Sequence, residues 1–318
     1  MGRTRKTQRT LVGTIAAEVL AYTSGRDLEL DAQLVEVDCI GTAAHVTMLA
    51  RLPQAVRPFG APQRHKIVAA LLDIMRDFRA GKLRLRAADQ DVHLAVERIL
   101  TRQLGDLGRK IHLGRSRNDQ AAVDLRLYSK EQLLQIMQAA LELAEALLKL
   151  ARSQAKLPMV GRTHMQPAMP SSVGLWASAY AESLLEDVLL LQSAYRLNDQ
   201  CPLGSAAGYG VPLPIDRHYV AQALGFSRPL RNVFHAGNTR GKIEATILAS
   251  LSQAMISISR LAQDLMLFTL PEFNYMALPA ELGTGSSIMP QKNNPDVLEL
   301  VRARAARVIS WTGLAMQL

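Results

Sequence analysis

Three polar segments of the sequence carry side chains that could bind or transform a small anionic molecule. The first, HLGRSRNDQ at residues 112–120, places Arg115 and Arg117 around Ser116 and adds the amide of Asn118. Arginine guanidinium groups match carboxylates through two parallel hydrogen bonds. Because a long helical pattern follows, backbone N–H groups at its start would also favour an anion. A capped, charged helix start would have the same composition, so both interpretations stay open.

The second segment, GRTHMQP at residues 161–167, places Thr163 beside His164 between two helical patterns. An imidazole titrates near neutral pH, so it can donate or accept a proton during catalysis. A histidine in an ordinary loop would look the same, and the segment by itself does not decide between the two.

The third segment, GTGSSIMPQKNNPD at residues 283–296, combines glycines with the hydroxyl of Ser286, the cation of Lys292 and the amide of Asn294. A mobile loop that closes over a substrate has this composition, and so does a plain connector. The spacing excludes a phosphate-binding G-x-x-x-x-G-K-[ST] loop and a G-x-S-x-G nucleophile elbow.

Apolar residues that recur every three or four positions predict that long helices position these segments. The patterns cover about 121–157, 173–195 and 242–270, and a fourth helix is predicted to open with Asn294 as its N-cap and Pro295 at its first position. No convincing alternation predicts a strand. Helices of this length must bury apolar stripes against each other, so we expect an all-α fold built around a helix bundle.

Proline and glycine clusters divide the chain. A cluster at 53–62 separates two N-terminal helices, and a short helix over 214–224 follows a second cluster. Glycines near 105–108 predict a boundary between a small N-terminal helical domain, 1–108, and a long-helix bundle, 109–318.

Composition excludes several classes of protein. The chain of 318 residues is 48% hydrophobic and carries 37 basic against 28 acidic residues, for a net charge of +9. That charge permits nucleic-acid binding, but 5% aromatic residues are few for base stacking. The most apolar charge-free stretch, 245–259, is shorter than the roughly 20 residues of a membrane span. Basic residues at positions 3, 5, 6 and 9 predict a solvated tail. No apolar run follows them, so this segment lacks the core of a signal peptide.

We therefore expect a cytoplasmic protein that binds neither nucleic acid nor membrane. Cys39 and Cys201 are too few for a cysteine zinc site, and we expect no metal.

The motifs together carry a resemblance to a known family. Residues 285–295, GSSIMPQKNNP, resemble the signature loop of the fumarase/aspartase superfamily. Residues 114–120, GRSRNDQ, resemble the argininosuccinate lyases and delta-crystallins in particular. Further family blocks are matched by Asp38–His45, Asp91–His93, Thr163–Gln166 and Pro202–Ser205.

The sequence departs from the family pattern at several positions. The usual Glu, Thr, Tyr and second Lys are replaced by Gln90, Leu113, Arg162 and Asn293, and the Ser-Asp-Arg-Asp block keeps only Arg240, preceded by Thr239. Family members continue with a further substrate-binding segment and a C-terminal helical domain, which we expect to be missing here. These departures bear on the substrate more than on the class of reaction.

The resemblance implies cleavage of L-argininosuccinate to L-arginine and fumarate by anti elimination, without a cofactor, as a step of arginine biosynthesis. It implies that Ser286 is the base, that His164 is the acid oriented by Glu299, and that Lys292 stabilises the developing charge. The implied substrate-binding residues are Ser116, Arg117, Asn118, Thr163, Asn294, Asp91, His93 and Arg240.

The resemblance also implies a homotetramer in which each site draws on three subunits. Two alternatives stay open: another superfamily lyase that acts on a related substituted amino acid, and a non-catalytic, truncated or crystallin-like relative.

Overall fold

The computed structural model of the chain describes residues 7–10 and 13–317, and the basic segment 1–6 lies outside the described residues. Most of the described chain is helical. The helices, in chain order, are α1 (Ala17–Ser24), α2 (Asp27–Asp31), α3 (Val35–Leu49), α4 (Ala61–Arg79), α5 (Val92–Leu104), α6 (Asp106–Arg109), α7 (Arg117–Ser153), α8 (Val173–Asn198), α9 (Arg217–Ala223), α10 (Val233–Asn238), α11 (Lys242–Phe268) and α12 (Asp296–Ala315).

The expected all-α fold built around long helices is confirmed, and short strands that no alternating pattern predicted accompany the helices. The described residues contain three antiparallel two-stranded hairpins, formed by β1 (Thr7–Thr10) with β2 (Gly13–Ala16), β3 (Pro158–Thr163) with β4 (Gln166–Ser172), and β5 (Thr284–Gly285) with β6 (Asn293–Asn294). The strands β3 and β4 are mostly exposed and β4 contains two prolines. With no buried face, their sequence shows no alternation of apolar and polar residues.

The predicted helices are confirmed, with one correction at the start of α12. That helix begins at Asp296, so the residue before it is Pro295, and Asn294 belongs to β6. The ring of a proline disfavours helical backbone for the residue that precedes it, which explains why Asn294 is extended.

The chain forms two compact units. The first contains the residues up to Lys130 together with Asn198–Arg240, and the second contains Glu131–Leu197 and the residues from Gly241 onward. The first unit thus groups 109–130 with the N-terminal helices. The expected division into domains at residue 108 stays a prediction, because compactness and independent folding are different properties.

The core of the first unit is formed where α3, α4 and α5 pack. Helix α3 is buried at most of its positions, and the loop after α8 adds Cys201 and Leu203 to the same apolar cluster. The largest fully buried side chains of this cluster are Met48, Leu49, Ile67, Leu71, Ile74, Leu100, Ile111 and Leu203.

The second unit is a bundle of long helices. Alanines and leucines of α7, α8 and α11 form its buried cluster, which includes Ala144, Ala177 and Leu261. Helix α12 packs on α11, where the hydroxyls of Ser252 and Thr312 are 2.7 Å apart. This unit carries both hairpins that hold candidate catalytic residues.

Helix α11 is the one described helix whose length and hydropathy would allow it to cross a membrane. Core helices of other proteins pass the same test, and α11 contributes Leu261 and Ile258 to the packing of the bundle. The expectation that the protein does not bind a membrane stays a prediction.

Candidate active site

The polar segment that precedes α7 rests on a buried network in the first unit. The Nδ1 atom of His93 is 2.8 Å from a carboxylate oxygen of Asp38 and 3.5 Å from one of Asp124. Beside them, the buried Arg115 donates from Nη1 to the hydroxyl of Thr42 over 2.9 Å. Buried charges are stable when they are paired and hydrogen-bonded in this way.

Burial and pairing set the charges of this network. Burial, followed by the neighbouring Asp38, raises the pKa of Asp124 well above its usual value. Burial also acts on Asp38 and His93, but their mutual hydrogen bond and charge outweigh it: the pKa of Asp38 is lowered and that of His93 is raised. The favoured state therefore pairs an ionised Asp38 with a protonated His93, while Asp124 keeps its proton to higher pH.

The buried side chain of His45 holds the start of the polar segment 112–120 through a hydrogen bond to its backbone. Its Nε2 atom is 2.9 Å from the carbonyl oxygen of Leu113, and the side chain is fully buried. Burial, with the charge of Arg115, lowers the pKa of His45 to about 3, so the ring is neutral and Nε2–H donates to Leu113.

Asp119 joins the polar segment to the glycine-rich loop after α8. One carboxylate oxygen accepts from the backbone N–H of Ser116 at 2.9 Å, and the other accepts from Gly204 at 2.9 Å and Ala206 at 2.8 Å. Burial raises the pKa of Asp119, and these three hydrogen bonds oppose that rise. The two loops are thereby held as one surface.

This surface brings together most of the substrate-binding residues expected in the first unit. Arg117 pairs with Asp91 at 2.7 Å, and Arg240 donates to the amide oxygen of Asn118 at 3.4 Å. The hydroxyl of Ser116 accepts from the backbone N–H of Asn118 at 3.3 Å.

A cavity of about 210 Å³ opens beside these residues. Asn118 and Arg240 line it, together with residues 205–208 and the end of α10. A guanidinium, an amide and small residues around such a space suit a bound carboxylate. His93, in contrast, is only 8% exposed, and its Nδ1 atom is hydrogen-bonded to Asp38, so its side chain lies beneath this surface. The expected contact of His93 with substrate stays a prediction.

In the second unit, the β3–β4 hairpin presents Thr163 and His164 at its tip. Thr163 pairs with Gln166, and the two residues between them form the turn. Both turn residues have positive φ, 52° at His164 and 63° at Met165. The His164 side chain is exposed.

The β5–β6 hairpin holds the signature loop. Gly285 pairs with Asn293, so Ser286 and Lys292 are the two ends of the loop that this pairing closes. The amide of Asn294 donates to the hydroxyl of Thr284 at 3.4 Å, which ties the neck of the loop.

Helix α12 begins directly after this loop and carries Glu299 in its first turn. Within the residues that the structure describes, His164 forms no hydrogen bond or ion pair with Glu299 or Ser286. The second unit of one chain therefore presents the proposed acid and the proposed base on separate hairpins.

Sequence reasoning missed the supporting residues Asp119, Asp124, Thr42 and His45 as parts of the site. It interpreted Arg115 as a group that binds an anion, whereas Arg115 is buried and donates to Thr42. Asp38 and His45 stood only in a block that resembles the family. The pattern that could have identified these residues is a polar side chain at a helix position that is otherwise buried. That pattern can be interpreted only when the hydrogen-bond partner is known.

One described cluster has the chemistry of metal ligands. The ligand atoms of Asp38, His93 and Asp124 lie within 4.8 Å of one another. In the structure the His93 nitrogen makes a hydrogen bond to Asp38, and Arg115 adds positive charge beside the carboxylates. The sequence-based expectation that the protein binds no metal stays a prediction.

Known proteins that are similar to this chain in sequence are lyases. A protein family described as "Lyase" matches residues 16–310. An argininosuccinate lyase of Sorangium cellulosum is 45% identical over 296 residues, 93% of this chain and 68% of the relative. One from Phocaeicola vulgatus is 41% identical over 92% of this chain and 64% of the relative, so the chain spans about two thirds of the length of these proteins.

Solved structures share the fold. EDDS lyase in complex with formate superposes with a TM-score of 0.80 at 29% identity, over 88% of this chain and 54% of that one. The native form of a fumarate lyase:delta crystallin from Brucella melitensis gives a TM-score of 0.74 at 22% identity, over 98% of this chain and 76% of that one.

The helix bundle, the three polar segments and these similarities lead to one assignment. The chain belongs to the lyase family of the fumarase/aspartase superfamily and, within it, to the argininosuccinate lyase family.

Proposed function

We propose that this protein cleaves L-argininosuccinate to L-arginine and fumarate, as a step of arginine biosynthesis. The observation that carries the proposal is the closed signature loop, which fixes Ser286 and Lys292 at its two ends ahead of helix α12. The reaction needs a base and a cation near one carbon atom, and this loop supplies both.

The first half of the reaction removes a proton from the succinate carbon next to a carboxylate. Ser286 takes this proton. A free serine hydroxyl is too weakly acidic for that role, so Lys292 and the backbone dipoles of the loop must favour its alkoxide. Negative charge then builds on the carboxylate, where Lys292 and Asn294 stabilise it; one such donor typically contributes about 3 kcal/mol.

The second half breaks the bond between carbon and the guanidino nitrogen. The electron pair moves to nitrogen, and His164 delivers a proton to it, so that arginine leaves and fumarate remains. Glu299 would hold the positive charge of His164. Because acid and base lie on separate hairpins, we propose that they meet when chains assemble.

The substrate is held by its carboxylates. Ser116, Arg117 and Asn118 bind them at the surface of the first unit, with Arg240 at the cavity, and Thr163 binds from the hairpin tip. Asp91 orients Arg117 through their ion pair. No cofactor enters this sequence of steps, in keeping with an elimination driven by acid and base.

A second candidate is a lyase that acts on a related substituted amino acid, and the likeness to EDDS lyase favours it. Measuring products with argininosuccinate, adenylosuccinate, malate and aspartate separates the two. We expect turnover of argininosuccinate to exceed that of the others by at least about a hundredfold. Preference for another of these substrates would contradict the proposal.

We also propose that the protein is a homotetramer with shared sites. Large apolar side chains are exposed on the long helices of the second unit, among them Leu175, Leu189, Leu300 and Leu314. Exposed apolar surface of this extent marks an interface. The cytoplasmic location and the absence of nucleic-acid binding stay predictions.

A further inference from the structure

The turn that carries His164 has a left-handed backbone conformation that histidine and methionine rarely adopt. Two-residue turns with positive φ at both positions favour glycine, asparagine and aspartate. Here the positions hold His164 and Met165, with φ values of 52° and 63°. Such backbone persists where surrounding contacts hold it.

Arg162 supplies those contacts. Its Nη1 atom donates to the carbonyl oxygen of Met165 over 3.1 Å, which closes the turn on itself. Its Cζ atom lies 4.7 Å from the centre of the Phe273 ring, so the same guanidinium stacks on an aromatic face. One planar group therefore connects the tip of the hairpin to the segment after α11.

A chain of aromatic contacts anchors Phe273 to the bundle. Its ring centre is 5.8 Å from that of Tyr275, which is 5.5 Å from that of Phe268 in α11. Phe268 is in turn 5.5 Å from Trp176 in α8, whose Nε1 donates to Asp264 over 2.9 Å. The stacking partner of Arg162 is thus fixed to two long helices.

We propose that Arg162 is a positioning residue that holds the His164 turn against the helix bundle. The inference rests on the proposed function, in which His164 is the acid. Arginine combines a planar face for stacking with a directed N–H for Met165, whereas lysine is a point donor on a flexible stem.

The kinetic test compares Arg162→Gln and Arg162→Lys with Arg152→Gln, an exposed arginine at the end of α7 in the same unit. We expect both Arg162 variants to lower kcat about tenfold with KM changed less than about twofold, because a misplaced acid slows chemistry more than binding. Arg152→Gln should match the parent. In a His164→Asn background, Arg162→Gln should cause no further loss.

A second measurement does not depend on turnover. Hydrogen–deuterium exchange of residues 158–172 should become faster in Arg162→Gln and in Phe273→Leu, but not in Arg152→Gln. Unchanged exchange in both variants, or an equal kcat loss in the His164→Asn background, would overturn the inference. If the parent turns over no argininosuccinate but exchange becomes faster in Arg162→Gln and Phe273→Leu, the positioning role of Arg162 is supported and the proposed lyase activity is contradicted.

Discussion

Ser286 and Lys292 occupy the two ends of one loop, and this arrangement decides the chemistry that we assign. The Gly285–Asn293 pairing closes the loop, and the start of α12 follows at Asp296. A hydroxyl can serve as a base only where a local positive field favours its alkoxide. In the proposed mechanism, the cation of Lys292 at the other end of the loop provides this field.

Replacing Lys292 with Met tests the role of that cation. We expect kcat/KM for argininosuccinate to fall by about a hundredfold or more, because the developing carboxylate charge loses its stabilising donor. Steady-state kinetics measure the change, with the exposed Lys156→Met as the matched control. A Lys292→Met enzyme with parental kcat/KM would remove the residue from the mechanism.

His45 makes stability depend on pH in a defined direction. Its folded-state pKa of about 3 lies below the usual 6.5, so the unfolded chain binds this proton first as pH falls. The His45 contribution is thus present above about pH 6.5 and is lost towards pH 3, at about 1.4 kcal/mol per pH unit.

The variant His45→Gln keeps a donor for Leu113 but does not titrate. Between about pH 6.5 and pH 5, the free energy of unfolding of the parent should fall about 2 kcal/mol more than that of the variant. Urea unfolding at the two pH values measures both. Equal losses in parent and variant would show that His45 is not buried and neutral as described.

At this scale, the sequence points to candidate residues for the chemistry but does not point to the residues that support them. Ser286, Lys292 and Asn118 lie in segments whose composition stands out. Arg115 and Asp119 sit in one of these segments too, but their partners Thr42 and Gly204 are 73 and 85 positions away. Local pattern carries no information about such distant pairs.

At the scale of elements, helices are predictable and hairpins are not. The sequence predicts a helix over 121–157, and α7 spans Arg117–Ser153. The prediction succeeds because the apolar periodicity of this helix persists for many turns. The β3–β4 hairpin has no such signal, since its exposed strands include prolines. The element that carries the proposed acid is therefore one that only the structure shows.

Close packing of α6 on α5 leads to a prediction about stability. A Cβ atom at Gly108 would lie 2.5 Å from the backbone of Leu100 and Thr101, and no side-chain rotation relieves that contact. We expect Gly108→Ala to lower the free energy of unfolding by about 3 kcal/mol. Urea unfolding checks this value.

The control is Gly237→Ala in α10, where an added Cβ meets nothing within 4 Å. Its free energy of unfolding should stay within about 1 kcal/mol of the parent. Equal stability of the two alanine variants would contradict the described approach of α6 to α5.

At the scale of the whole molecule, the exposed apolar faces and the separated acid and base point to assembly. Leu175 and Leu189 on α8 remain 65% and 63% exposed in the single chain. If a site takes its acid and base from different chains, two inactive variants can complement each other.

We therefore expect mixed and reassembled Ser286→Ala and His164→Asn chains to recover part of the parental activity. Each variant reassembled alone serves as the control and should keep only a residual rate, at least about a hundredfold below that of the parent. A mixed assembly no more active than these controls, verified as a tetramer by its mass, would contradict shared sites.

The most direct test of the account is fumarate release from argininosuccinate by the purified chain, with Ser286→Ala as the blank. We expect steady release by the parent and none above background by the variant, with both equally folded. Equal release by both would remove Ser286 as the base. No release by a folded and assembled parent chain would contradict the assignment of argininosuccinate lyase activity.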